Sequence, residues 1–148
     1  MAGTYLAVRP QVNKELKELL SAIDKVGITD TVDVEELHVT LLYAEGIQLE
    51  YTPSPLDMYT AVITGVMVLG EGEWQGLVLT LNSTMLQAKF KYFENTFGKV
   101  HLYGDLKVHL TIKYKPALLD EAKLLGVLEE FRGKELVLGY EYREDLTK

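Results

Sequence analysis

The chain contains no cysteine. That excludes disulfides, thiolate nucleophiles and zinc–thiolate centres together, and with them a disulfide-stapled secreted domain. Proline is scarce, at four residues, and tryptophan occurs once, as Trp74. Histidine is limited to His38, His101 and His109. Positive charge is in deficit: 15 Lys and Arg face 22 Asp and Glu, giving a formal net charge of −7 and a pI of about 5.0. Long nucleic acids are held chiefly by neutralising their phosphates with Lys and Arg. This balance therefore argues against a duplex or a long RNA as ligand. It leaves room for a small phosphorylated molecule in a locally basic cleft. Long hydrophobic runs are missing too. The most apolar stretch, residues 59–70, is shorter than a bilayer span and is interrupted by Thr and Gly. Met1-Ala2-Gly3-Thr4-Tyr5 shows no basic region leading into an apolar segment. A cytoplasmic protein with no membrane partner is expected.

What is present is ordinary in bulk. A length of 148 residues, 47% hydrophobic and 25% charged, suffices for one buried core. No linker, low-complexity segment or charge block breaks the chain, so residues 1–148 are expected to form one domain.

The most informative feature is a repeated heptapeptide. Leu37-His38-Val39-Thr40-Leu41-Leu42-Tyr43 and Val108-His109-Leu110-Thr111-Ile112-Lys113-Tyr114 both read apolar-His-apolar-Thr-apolar-x-Tyr. The alternation is that of a half-buried strand, so His and Thr two places apart share a face. Lys107, Lys113 and Lys115 alternate around His109 and Thr111, either as local positive charge for an anionic ligand or as solvated lysines on an outer face. His101 lies outside the motif and reads as structural or surface.

Around these motifs the pattern gives further elements. A strand is expected over Thr4–Val8, and a helix capped by Asn13 with an apolar stripe at Leu16, Leu19, Leu20 and Ile23. Pro53 and Pro55 mark a loop over residues 44–57. Tyr59–Leu69 and Trp74–Leu81, joined by Gly70-Glu71-Gly72-Glu73, read as a β-hairpin. Ser83 caps a second helix to about Phe97; the second motif strand runs over Leu106–Tyr114; a third helix spans Leu118–Phe131; and a final strand covers Glu135–Tyr142. One His-x-Thr strand in each half predicts an internally duplicated, two-lobed α+β fold with a cleft between the lobes.

Two imidazoles and two hydroxyls around one cleft suit attack on a phosphodiester. One His can take a proton from the attacking oxygen while the other gives one to the leaving oxygen. The Thr hydroxyls can donate to the non-bridging oxygens. This chemistry needs no metal or other cofactor, and no Asp, Glu and His grouping in the sequence has metal-ligand spacing.

The duplicated His-x-Thr strand pair in a chain of this length resembles the 2H phosphoesterase superfamily. That superfamily includes RNA 2′,3′-cyclic phosphodiesterases, tRNA-splicing cyclic phosphodiesterases, A-kinase-anchor-like members and the phage anti-CBASS Acb1 group, which destroys cyclic oligonucleotide second messengers. The resemblance implies antiparallel sheets lining a central cleft, with helices outside. It implies catalysis by His38 and His109, phosphate binding by Thr40 and Thr111, and a place in the host cytoplasm if the chain is viral. The early Gly3-Thr4-Tyr5, the mid-chain Trp74 and the Glu-bearing tail are most similar to the anti-CBASS group. By that likeness Tyr5, Trp74 and Glu141 are candidate substrate contacts. Trp74 would serve as a platform for a base. Glu141 would read a base edge or steady a His. Their plainer readings are packing for Tyr5, a hairpin-end aromatic for Trp74 and a solvated acid for Glu141. The chain ends Asp145-Leu146-Thr147-Lys148 without the terminal aromatic that group favours, so stacking from the tail is not expected.

Three functions stay open at this point. The first is hydrolysis of 3′–5′ bonds in cyclic di- or trinucleotides. The second is 2′,3′-cyclic phosphodiesterase action on RNA ends. The third is a sponge that binds a cyclic nucleotide without cutting it. Base, linkage and ring-size preference, the division of acid and base between the two His, and oligomeric state are not set by the sequence.

Overall fold

The computed structural model describes residues 3–44, 46–98 and 108–146. Lys107, His101 and the expected start of the second motif strand at Leu106 lie outside these residues.

Among the described residues, seven strands form two antiparallel sheets. The elements are β1 (Gly3–Val8), α1 (Lys14–Lys25), β2 (Val39–Ala44), β3 (Tyr59–Leu69), β4 (Gly76–Asn82), α2 (Thr84–Phe97), β5 (His109–Tyr114), α3 (Asp120–Phe131), β6 (Glu135–Leu138) and β7 (Tyr142–Leu146). One sheet has the order β2-β1-β7 and the other β5-β4-β3-β6. The caps expected from the sequence are made: Asn13 Oδ1 accepts from Leu16 N at 3.0 Å, and Ser83 Oγ from Leu86 N at 3.2 Å.

The helices back the sheets. Leu16, Leu19 and Ile23 of α1, Leu86 and Phe93 of α2, and Leu124, Leu128 and Phe131 of α3 join Leu6, Val8, Leu41, Leu77, Leu79 and Leu110 in one buried cluster. The helix that links β1 to β2 packs on α3 and β6, and the helix that links β4 to β5 packs on β2 and β3. Each lobe's helix thus leans on the other lobe.

Each motif strand lies at the edge of its sheet, β2 in one and β5 in the other, and the two edges are in contact. Both strands carry a one-residue bulge at the same motif position. In β2, Thr40 faces Ala7 and Leu42 faces Leu6, leaving Leu41 extra. In β5, Thr111 faces Val78 and Lys113 faces Leu77, leaving Ile112 extra. Strict alternation would turn the seventh motif residue away from His and Thr. An extra residue after Thr restores it to their face, so Tyr43 and Tyr114 share the side of the histidines. The carbonyl of the bulged Ile112 accepts from Val32 N at 2.8 Å, tying β5 to the segment that leads into the first motif.

Two expectations are corrected. Residues 135–142 are not one strand: β6 ends at Leu138, and β7 begins at Tyr142 in the other sheet. The crossing point, Gly139, is pressed against Met58 Sδ and the Asp57 carbonyl, 2.7 and 3.2 Å from where a Cβ would stand. Trp74 is not in the returning strand but in a 3-10 turn (Gly72–Trp74) before it.

Candidate active site

The first motif meets β1 and β7 around a cavity of about 540 Å³ lined by Tyr5, Arg9, Val32, Glu36, His38, Tyr43, Tyr114, Tyr142 and Glu144. Tyr114 comes from the second motif, so residues of both motif strands line the same space. A larger groove, about 850 Å³, runs between α1 and α3 and contains no motif residue.

His38 Nδ1 lies 2.8 Å from the Glu36 carbonyl oxygen. A carbonyl only accepts, so this nitrogen carries its hydrogen and Nε2 is the working atom, able to take or give a proton. The ring of Tyr5 stands edge-on to His38 at 6.1 Å and to Tyr43 at 6.2 Å. The Tyr5 hydroxyl and Thr40 Oγ1 share a hydrogen bond of 2.9 Å. Burial pushes the Tyr5 hydroxyl up to about 12, with the Thr40 hydrogen bond pulling the other way. It therefore keeps its proton through neutral pH, and the Tyr5–Thr40 pair always holds two hydrogens.

His109 opens β5 opposite Thr80, and Thr111 lies opposite Val78; both side chains are half-buried. Trp74 is 72% exposed, and its ring stands perpendicular to that of Tyr114 with centroids 6.0 Å apart. It is a hairpin-end aromatic that flanks the second motif.

Two sequence candidates have other company. Glu141 is neither solvated nor among the residues lining the cavity. Its Oε1 accepts from Tyr51 Oη at 2.5 Å and Ser54 N at 3.0 Å; its Oε2 accepts from Tyr59 Oη and pairs with Lys89 Nζ at 3.2 Å. Burial raises its pKa, but the hydrogen bonds from Ser54, Tyr51, Tyr59 and Lys89 outweigh it and hold the carboxyl below the usual range. Lys113 does not bring charge to the motif face. The bulge sends it inward, where Nζ meets Asp120 Oδ2 at 2.8 Å in a pair only 7% and 4% exposed.

The sequence reading missed Arg9, Tyr43, Tyr114, Tyr142 and Glu144. The closing Tyr of each heptapeptide was a visible signal for two of them. Tyr142 and Glu144 carried none, because their place depends on β7 pairing with β1, where Tyr142 faces Ala7 and Glu144 faces Tyr5. Arg9 lies over the Tyr142 ring, 4.3 Å from its centroid. An aromatic from the last strand does reach the cavity, although the chain end has none.

The model of the anti-CBASS protein Acb1 family matches residues 2–148. The chain belongs to the Acb1 family. No curated protein matches it in sequence. Among solved structures, Kluyveromyces marxianus Usb1 with uridine monophosphate is similar in fold at a TM-score of 0.56 and 10% identity, over 99% of this chain and 95% of that one. TT0787 of Thermus thermophilus is similar at a TM-score of 0.50 and 18% identity, over 95% and 83%. The Acb1 chain thus has the 2H phosphoesterase fold expected from its paired motifs, and family and fold together make it a phosphodiesterase. No helix among the described residues of this Acb1 member is long and apolar enough to cross a membrane.

Proposed function

We propose that the protein hydrolyses 3′–5′ bonds of cyclic di- or trinucleotide second messengers without a metal ion, and so blunts CBASS immunity in a host cytoplasm. The observation that carries this reading is the matched pair of edge strands, each with His and Thr on one face by alternation and Tyr returned to that face by the same bulge. His38 and His109 divide the acid and base roles. Thr40 and Thr111 donate to the non-bridging phosphoryl oxygens. One His deprotonates the neighbouring ribose 2′-hydroxyl, whose oxygen attacks phosphorus. The other protonates the departing 5′-oxygen. Water, activated at the same pair, then opens the resulting 2′,3′-cyclic phosphate. Tyr5, Tyr43, Tyr114, Tyr142 and Trp74 offer ring faces and edges for the bases.

The test is incubation in EDTA with a panel of cyclic di- and trinucleotides and a 2′,3′-cyclic mononucleotide, read by chromatography beside a His38→Ala/His109→Ala control. Cleavage of the cyclic oligonucleotides by the unaltered protein alone is expected. Cleavage of the 2′,3′-cyclic mononucleotide alone would move the protein to RNA-end processing. Binding without turnover would make it a sponge, and a divalent-ion requirement would sink the metal-free chemistry.

A further inference from the structure

Over Tyr5–Ala7 of β1 and Gly76–Val78 of β4, the units β7-β1-β2 and β3-β4-β5 pair in the same register, the bulge of the motif strand included. Glu144, Tyr5 and Tyr43 lie abreast in one; Leu69, Gly76 and Tyr114 lie abreast in the other. Tyr142, Ala7 and Thr40 correspond in the same way to Met67, Val78 and Thr111. On the middle strand, the residue diagonal to the motif Thr is Tyr5 in one unit and Gly76 in the other.

Tyr5 uses that diagonal to hold Thr40 by a hydrogen bond. Gly76 has no side chain to offer, and Thr111 fills the place. Its Cγ2 lies 3.1 Å, and its Oγ1 3.7 Å, from where a Cβ on Gly76 would stand. The backbone gives no reason for glycine there, since Gly76 is not among the positive-φ residues. What the position requires is space. Thr is restricted to few χ1 wells, so seating its methyl against β4 also sets where its hydroxyl goes.

We propose that Gly76 is a positioning residue for Thr111. The bare backbone seats the Thr111 methyl and so fixes where its hydroxyl stands, the task that Tyr5 performs for Thr40 by hydrogen bonding. The inference rests on Thr111 being a phosphate-binding residue. A Cβ at position 76 must push the Thr111 methyl by a few tenths of an ångström, and a displaced donor costs rate steeply.

The experiment is a double-mutant cycle of Gly76→Ala and Thr111→Ser. Serine keeps the hydroxyl and lacks the methyl. Gly76→Ala alone is expected to lower kcat/KM about tenfold or more. Thr111→Ser alone should lower it about threefold through the looser rotamer. The double variant should be no worse than Thr111→Ser, since the obstructed methyl is gone. Additive losses would overturn the proposal. Inorganic phosphate binding to the same four proteins should follow the same pattern. Phosphate binding by a protein that cuts nothing would refute the activity while still testing the positioning. Should Gly76→Ala not fold, the Thr111 side-chain couplings of the unaltered protein decide by NMR: one fixed χ1 rotamer is expected, and rotamer averaging would overturn the proposal.

Discussion

Tyr5 and Thr40 are joined by a 2.9 Å hydrogen bond that runs diagonally between paired strands, Tyr5 facing Tyr43 and Thr40 facing Ala7. The bond fixes a hydroxyl beside His38 without using a charged group. Tyr5→Phe keeps the ring edge-on to His38 and removes only the oxygen. Its expected effect is a loss of about 1 kcal/mol at Thr40, seen as a roughly fivefold drop in kcat/KM with the melting temperature little changed. A lowered melting temperature with kcat/KM unchanged would show that the bond serves the fold alone.

Trp74 projects from the hairpin end beside Tyr114 and carries little of the core. Trp74→Ala should leave the thermal melt in place. It should weaken binding of a cyclic dinucleotide to the His38→Ala/His109→Ala protein by about 1–3 kcal/mol, the worth of one stacked base. Calorimetry measures both. Unchanged affinity would remove Trp74 from the substrate contacts.

Asp120 and Lys113 form a buried pair behind the second motif, with the Ala117 N–H also on the carboxylate at 2.8 Å. The Lys113 hydrogen bond holds the Asp120 carboxyl below its usual range; burial opposes this and the Ala117 N–H adds to it. A lowered folded-state value means that the stabilisation is complete above the unfolded carboxyl's pKa of about 4 and is lost as pH falls through the folded value. Urea melts at pH 7 and pH 3 should show that loss in the unaltered protein and a flatter profile in Asp120→Asn. At pH 7 Asp120→Asn should cost about 3–5 kcal/mol, because it leaves the Lys113 ammonium buried without its anion. Lys113→Met combined with Asp120→Leu should recover most of it.

Glu141 receives hydroxyls from the loop after β2 and from the start of β3, with an ammonium from α2. Glu141→Gln should destabilise by about 2–3 kcal/mol, since the amide cannot satisfy every donor now aimed at it. KM per folded molecule should stay the same. A tenfold rise in KM at an unchanged melting temperature would instead make Glu141 a substrate contact.

The motifs, caps and most strand limits were legible because they rest on local periodicity and on single capping residues. Tyr59–Leu69 was expected and is found with those bounds. The bulges were not legible. An extra residue at Leu41 or Ile112 is visible only against the neighbouring strand, and without it Lys113 reads as facing the same way as His109. The break at Gly139 was hidden for a related reason: Glu135–Tyr142 is a run with strand propensity, and only the packing of Met58 on Gly139 shows where the chain leaves one sheet for the other. Residues brought to the cavity by the pairing of β1 with β7, such as Tyr142 and Glu144, depend on contacts across almost the whole chain.

That last pairing also sets an order of events. The sheet β5-β4-β3-β6 draws its strands from within residues 59–138, a shorter span of chain. The sheet that carries His38 waits for residues 142–146 to return to residues 3–8, a closure of high contact order. The half with the second motif is expected to form first, and the cavity beside His38 only once β7 has paired with β1.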